Sequence, residues 1–432
     1  MKKILFWGIG GASMSALAML TSKQYEVWGY DDFYYSPTIT HKIKIAKSIT
    51  PEFLKSFDEI VYTSAVSNSS QLVKFAKKNS IPIFERAEFL GNFSKTYSNV
   101  IAISGTHGKT TTTAMIGEIF RVANLNPTVH VGGIINDWQT NYLLGEKQYF
   151  ITEACEYNKS FLHLSPTTTI ITNIEAEHLD TYHTFENEKQ AFIQFASQSQ
   201  NVFAHEDIDY LPSALSYGFG KNNYVQATDI TEKNGMFSFT CLINGKNVGK
   251  IDLKILGKHN ILNALASIAV ANFYDIEFSI IKQALENFSG VYRRMTKIKS
   301  NKLGTHFLDY AHHPTEIKAT LKSLNLLPHN KLIAIFQPHT YSRTLTLMKE
   351  FCSSFVCDEL YLLPTYSARE NFIAGGDALD LFYNLNGKVD CKYYVNPQSL
   401  YYDLDKCLDS GDIVAWLGAG DIDKICFQYT KK

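Results

Sequence analysis

The sequence predicts an α/β protein built from three domains. Three observations carry this reading. The chain has 432 residues, which at ~150 residues per domain corresponds to about three. Short β-branched and aromatic runs alternate with apolar helical periods from one end to the other. Two strand-to-helix junctions are glycine-rich, Gly8–Gly11 and Gly105–Gly108, as where a buried parallel strand hands over to a helix that receives phosphate.

The first segment, 1–95, opens with the strand Ile4–Trp7, a glycine turn and an apolar helix over Met14–Leu20. A strand Glu26–Gly29 runs into Asp31, and the strand-like Ile81–Phe84 precedes the boundary. The second segment, 96–293, starts with the strand Asn99–Ser104, a second glycine turn and a helix over Thr110–Ala123. Strands are expected near Tyr149–Glu153 and Thr168–Asn173, and a helix near Asn260–Phe273. The third segment, 294–432, carries strands at His306–Leu308, Leu332–Phe336, Glu359–Leu363 and Ile413–Trp416, with helices at Pro314–Leu324 and Thr344–Cys357.

Composition removes several classes of function. Apolar residues make up 45% of the chain and aromatics 13%, enough for real cores. Lys+Arg is 41 and Asp+Glu is 42, a formal charge of −1, so the basic excess of a nucleic-acid or anionic-membrane binder is missing. No apolar run approaches the ~18–20 residues of a membrane-spanning helix. Met1–Gly8 has a signal-like charge but breaks at once into a glycine turn, and is expected to be a buried strand. Seven scattered cysteines without a C-x-x-C pair support neither a disulfide framework nor a zinc site. A reduced, cytoplasmic, soluble, multi-domain protein is the expectation.

The most informative stretch is Ser104-Gly105-Thr106-His107-Gly108-Lys109-Thr110-Thr111-Thr112. Glycines let backbone N–H groups approach phosphate oxygens, and the helix N-terminus adds partial positive charge. Lys109 is expected to reach the β/γ-phosphates and the Thr110 hydroxyl to hold Mg²⁺. The loop is shorter than the G-x-x-x-x-G-K-[ST] pattern, whose first glycine falls at Ile103. Glu153, at a strand end, supplies a second hard oxygen for the metal. Gly8-x-Gly10-Gly11 with Asp31 about 20 residues on imitates a dinucleotide fingerprint. From the residues alone, NAD(P) and a nucleotide-sugar diphosphate both fit it, since each sets a diphosphate on a helix N-terminus. Arg343, four residues after His339, shares a helical side with it and suits a free carboxylate bidentately.

Gly105-Thr-His-Gly-Lys-Thr-Thr-Thr resembles the ATP loop of the Mur ligases, which build the peptide stem of peptidoglycan. Further motifs follow in family order over nearly the whole chain: Met14-Ser15; Glu153-Ala-Cys-Glu156-Tyr; Thr172-Asn173-Ile174 with Glu177-His178; His259-Asn260-x-x-Asn263; Arg293-Arg294; Asp309-Tyr310-Ala-His312-His313-Pro314; Phe336-Gln-Pro-His339 with Arg343; and Gly418-Ala-Gly-Asp421. The resemblance implies three domains: a Rossmann-like N-terminal domain for the UDP-sugar, a central P-loop ATPase-like domain, and a Rossmann-like C-terminal domain for the amino acid. It further implies the family branch that joins L-alanine to UDP-N-acetylmuramate through an acyl phosphate, with ATP and Mg²⁺.

Residue by residue, the resemblance implies ATP contacts at Gly105, Thr106, His107, Gly108, Lys109, Thr110, Thr111, Asn260, Asn263, Arg294 and Asp309. Glu153, His178 and Thr110 hold metal. Gly8, Gly10, Gly11, Ser15, Asp31 and Ser64 line the sugar-nucleotide pocket, with Ser13 where the family usually has glycine. Tyr310, His312, His339 and Arg343 face the incoming amino acid, and Lys109, His178 and Arg343 act in catalysis. A monomer or homodimer without nucleic-acid or membrane partners is expected. The rivals are a sister ligase, an NAD-dependent oxidoreductase, which leaves the Gly105–Thr112 loop unused, and an ATP-driven switch, which leaves His339 and Arg343 unused.

Overall fold

The structure, a computed structural model, describes residues 1–432 apart from 33–38, 40–41, 68, 177–178, 212, 369, 386 and 432, with backbone alone at 179–180. Contacts divide the chain into two compact units: Met1–Asp229 with Phe239–Ile251 and Ile261–Ser289, and Ile230–Ser238 with Asp252–Asn260 and Gly290–Lys432. Among the described residues the strands form three sheets, and no helix is long and apolar enough to cross a membrane.

The first sheet comprises β1 (Lys2–Trp7), β2 (Tyr25–Tyr30), β3 (Lys44–Ile45), β4 (Glu59–Tyr62) and β5 (Ile83–Glu85), in the order β3-β2-β1-β4-β5. All its pairs are parallel. Ile4, Leu5 and Phe6 are wholly buried, so β1 hides both faces, as a central parallel strand does. The order reverses between β1 and β4, the switch point where α/β sheets leave a crevice at their carboxyl ends. The glycine turn and the helix Ala12–Thr21 follow β1 there.

The second sheet comprises β6 (Asn99–Ser104), β7 (Thr128–Ile135), β8 (Thr140–Leu143), β9 (Tyr149–Glu153), β10 (Thr168–Ile171), β11 (Asn201–His205), β12 (Leu215–Gly218), β13 (Val225–Lys233), β14 (Met236–Ile243) and β15 (Lys246–Leu256). Its order is β15-β14-β13-β12-β11-β10-β6-β9-β7-β8. β9 and β10 flank β6 in parallel register, which brings the carboxyl ends Glu153, Ser104 and Thr172 side by side. β10 stops at Ile171 because the Thr172 hydroxyl turns to the His107 carbonyl at 2.6 Å. Met14, Leu17 and Leu20 share one core with Phe93, Phe150 and Phe161, so the first two sheets pack together within the first unit.

The third sheet, in the second unit, comprises β16 (Thr296–Ile298), β17 (Thr305–Asp309), β18 (Leu332–Phe336), β19 (Glu359–Leu362), β20 (Asp390–Tyr393) and β21 (Ile413–Leu417). Its order is β16-β17-β21-β18-β19-β20, with β16 antiparallel and the remaining pairs parallel. The loops after β17, β21 and β18 therefore emerge at one edge. The single helix expected over Thr344–Cys357 is instead two short ones, Tyr341–Thr346 and Met348–Phe351. Leu347 leaves helical dihedrals (φ −105°, ψ 23°). The Ser353 and Ser354 hydroxyls then bond the Glu350 and Phe351 carbonyls at 2.9 Å, the local competition that ends helices at serine.

Candidate nucleotide and ligation site

The loop between β6 and the helix Lys109–Val122 is shaped by two glycines in the left-handed region, Gly105 (φ +130°) and Gly108 (φ +85°). A Cβ on Gly105 would lie 2.1 Å from Thr172 Oγ1, and one on Gly108 2.6 Å from Asn263 Oδ1, so no side chain fits at either. The loop is buttressed from the segment just after β10: Thr106 N–H donates to the Asn173 carbonyl (3.0 Å), and His107 N–H to Asn173 Oδ1 (2.8 Å). The first-turn amides from Lys109 onward lie at the partly positive end of a 14-residue helix. The Lys109 ammonium folds back onto Gly105 O, Thr106 O (2.9 Å) and Glu156 Oε1 (2.8 Å).

Glu153, at the end of β9, accepts the Gly132 N–H at 2.5 Å. Its carboxylate and the Thr110 hydroxyl are hard oxygen donors on adjacent elements, a set that suits Mg²⁺. His178 lies outside the described residues. Asn263 is buried behind the loop, where Oδ1 accepts the Thr112 hydroxyl at 3.2 Å. The Asn260 amide donates to the Leu256 carbonyl at 2.7 Å.

On the first sheet, Gly8 (φ +95°) turns tightly against Thr63. Its N–H and that of Ile9 both donate to the Tyr30 carbonyl, and Gly10 N–H donates to Asp31 Oδ2 at 2.9 Å. Asp31 thus fastens the turn. Gly11 caps the helix that carries Ser13 and Ser15. The Ser15 hydroxyl bonds the Ala12 carbonyl inside its own helix, while Ser64 is exposed just beyond β4.

The third sheet gathers its predicted residues at one edge. Arg343 lies 3.3 Å from the His339 carbonyl and 3.4 Å from its Nδ1. The His339 ring stacks on Tyr366, with centroids 5.6 Å apart, and meets His312 edge-on at 5.8 Å. Burial, followed by the Arg343 charge, pushes His339 down to about 4. Burial pushes His312 to about 3, so both rings are neutral near pH 7. His312 Nδ1 faces the Tyr310 carbonyl at 3.0 Å, so that nitrogen carries the proton and Nε2 presents its lone pair. Asp309 gives one oxygen to Met295 N–H (2.6 Å) and the other to Ala311 N–H (2.7 Å), which makes it a fastener of the 293–295 turn. Burial raises it to about 6, against the pull of Arg294. Of the paired arginines, Arg293 is occupied by the Gly418 and Gly420 carbonyls (2.7 and 3.1 Å), whereas Arg294 reaches Glu316 at 3.3 Å.

Glu156, an acid three residues beyond the strand-end Glu153, is a loop partner that the expected site residues do not include.

A glycine turn opening a helix on each of the first two sheets, and a histidine–arginine cluster on the third, belong to a ligase of three α/β domains. The chain matches, in order, the models for the Mur ligase family catalytic domain (3–98), the Mur ligase middle domain (103–271) and the Mur ligase glutamate ligase domain (293–420). It belongs to the Mur ligase family, whose members use ATP. It is 40% identical to UDP-N-acetylmuramate–L-alanine ligase of Clostridium tetani, over 98% of this chain and 96% of that one. It is 38% identical to the enzyme of the same name from Caldicellulosiruptor bescii, over 100% and 99%. The crystal structure of UDP-N-acetylmuramate-alanine ligase from Thermotoga maritima superposes with a TM-score of 0.84 at 25% identity, covering 100% and 99%. A murein peptide ligase from Psychrobacter arcticus shares the fold at 21% identity (TM-score 0.72, covering 100% and 98%).

Proposed function

We propose that the protein joins L-alanine to UDP-N-acetylmuramate with ATP, giving UDP-N-acetylmuramoyl-L-alanine, ADP and phosphate, the first amino-acid addition in peptidoglycan precursor synthesis. The observation that carries this reading is full-length similarity to ligases of that name, together with the phosphate loop and the His339/Arg343 cluster. Both nucleotide substrates and an all-thiol cysteine set fit a cytoplasmic enzyme.

A carboxylate does not acylate an amine at neutral pH, because oxide would have to leave. The lactyl carboxylate oxygen therefore attacks the γ-phosphorus and ADP departs, leaving an acyl phosphate. Lys109 and the helix amides neutralise charge on the transferring group. Thr110 and Glu153 would hold Mg²⁺, which supplies further charge neutralisation there. The alanine amine then attacks the acyl carbon, phosphate leaves, and the nitrogen gives up a proton. Arg343 holds the alanine carboxylate and so aims the amine. His312 and His339, both neutral, are able to take that proton, as is the departing phosphate. The glycine turn after β1, with Asp31 holding Gly10, receives the UDP diphosphate on the helix Ala12–Thr21.

The test is interception of the intermediate. With ATP, Mg²⁺ and UDP-N-acetylmuramate but no amino acid, hydroxylamine should yield the muramoyl hydroxamate. Absence of hydroxamate from protein that turns over with alanine would overturn the acyl-phosphate route.

A further inference from the structure

Every proton of the Lys109 ammonium has an acceptor in this structure: Gly105 O, Thr106 O at 2.9 Å and Glu156 Oε1 at 2.8 Å. The pair is sequestered, with the Glu156 side chain 2% exposed and that of Lys109 16%. Glu156 is fixed through its backbone. Its carbonyl takes the Tyr182 hydroxyl at 2.5 Å and the Lys159 N–H at 2.9 Å, just where the chain turns through the left-handed residues Asn158 and Lys159. A loop lysine can bond incoming phosphates only by giving up some of these acceptors. Two of the three are carbonyls of the loop itself; Glu156 is the one that carries charge and comes from a different element.

We propose that Glu156 is a positioning residue for Lys109 and the internal competitor that the phosphates of ATP displace, so that its charge sets nucleotide affinity. This deepens the ATP-using reading and rests on it. Before nucleotide arrives, the carboxylate keeps the ammonium against the loop and compensates it out of water. Once phosphate oxygens take the ammonium, a buried carboxylate is left close to a polyanion, and their repulsion weakens the complex. The same repulsion favours ADP release after transfer. A glutamine of equal shape still accepts a hydrogen bond from Lys109 but neither competes as an anion nor repels.

The experiment is calorimetric titration of the full-length protein with Mg²⁺ and AMP-PNP, and separately with ADP, without UDP-sugar or alanine. Glu156→Gln is expected to lower both Kd values by about fivefold or more, and to lower the KM for ATP without raising kcat. Glu156→Asp keeps the charge and is expected to stay within about twofold of the native Kd. A purely structural role for Glu156 predicts the reverse for Glu156→Gln, a weaker or unchanged Kd with a lower Tm, and that result overturns the proposal. Should Glu156→Gln not fold, the pair is tested by stability. Lys109→Met/Glu156→Gln should have a higher Tm than Lys109→Met, which strands a buried carboxylate, and an equal or lower Tm overturns the pairing. Failure of the native protein to bind either nucleotide would instead remove the ATP reading itself.

Discussion

The Nε2 of His130, on β7, lies 3.1 Å from both the carbonyl and the hydroxyl oxygen of Ser13, in the first turn of the helix that follows the Gly8–Gly11 turn. Its Nδ1 meets the Thr152 hydroxyl at 3.0 Å, one residue before Glu153, and Arg86 donates to the Ser13 hydroxyl at 3.2 Å. A single buried imidazole thus links the start of the helix Ala12–Thr21 to the strand that ends at Glu153. Ser13 gives this link both its backbone carbonyl and its hydroxyl.

His130→Ala should therefore be costly for stability. It leaves Ser13 and Thr152 without their shared partner in a buried place, a loss of about 2–4 kcal/mol in urea unfolding. Ser13→Gly, which removes the hydroxyl but keeps the carbonyl bond, should cost less than half of that. Equal costs would mean the hydroxyl, not the carbonyl, anchors the ring.

Stability should fall in mild acid. Burial holds His130 and His339 at about 4 and His312 at about 3, below the free value of 6.5. A depressed histidine contributes stability above pH 6.5, and that contribution is lost as pH drops through 6.5 toward the folded value. Asp309, raised to about 6, works oppositely: its contribution is full below 3.8 and lost as pH rises through 6. Three histidines outweigh one aspartate, so Tm should decline from pH 6.5 to 4. Replacing His130 with asparagine should flatten the decline, and an unchanged slope would show that His130 is not a source of it.

Lys109→Ala should reduce kcat by at least ~10²-fold, the usual loss of a preorganised charge partner in a transition state. Steady-state ADP release at saturating substrates measures it. Near-native turnover would remove the loop lysine from phosphoryl transfer.

Much of the fold was legible because its central strands are continuous apolar runs with strong punctuation. Asn99–Ser104 and Leu332–Phe336 have the limits the sequence suggested, since each is bounded by polar or turn residues and buried on both faces. The β13–β15 strands lie outside the expected elements even though Phe237, Phe239, Cys241 and Ile243 are buried at every second position of β14. The helix over 344–357 failed where Leu347 and the two serines overrode an apolar period. In the candidate site, the loop glycines are readable because the backbone at Gly105 (φ +130°) and Gly108 (φ +85°) demands that residue type. The bonds of Asp31 to the Gly8–Gly11 turn, of Asp309 to the 293–295 turn and of Ser15 to its own helix are not, because a side chain bonding backbone and one awaiting a ligand leave the same letter in the sequence.

Arg343→Ala should separate the two half-reactions. Loss of a charge-assisted bidentate contact costs about 2–4 kcal/mol, roughly 30- to 1000-fold in the KM for alanine. The KM for ATP and for the UDP-sugar should stay within about twofold, and the hydroxamate should still form without alanine. Arg343→Lys should recover only part of the loss, since a point charge lacks the fork. A variant with native alanine KM, or one that no longer makes hydroxamate, would move the amino-acid site elsewhere.

The central claim, that this chain spends one ATP to make one amide bond between L-alanine and UDP-N-acetylmuramate, is tested most directly by ADP release measured alongside the coupled product. With ATP, Mg²⁺, UDP-N-acetylmuramate and L-alanine together, ADP and UDP-N-acetylmuramoyl-L-alanine should appear in equal amounts, and omission of either acceptor should stop product formation. ADP release that proceeds without alanine or without the UDP-sugar at the full rate, or that yields no amide product, would contradict it.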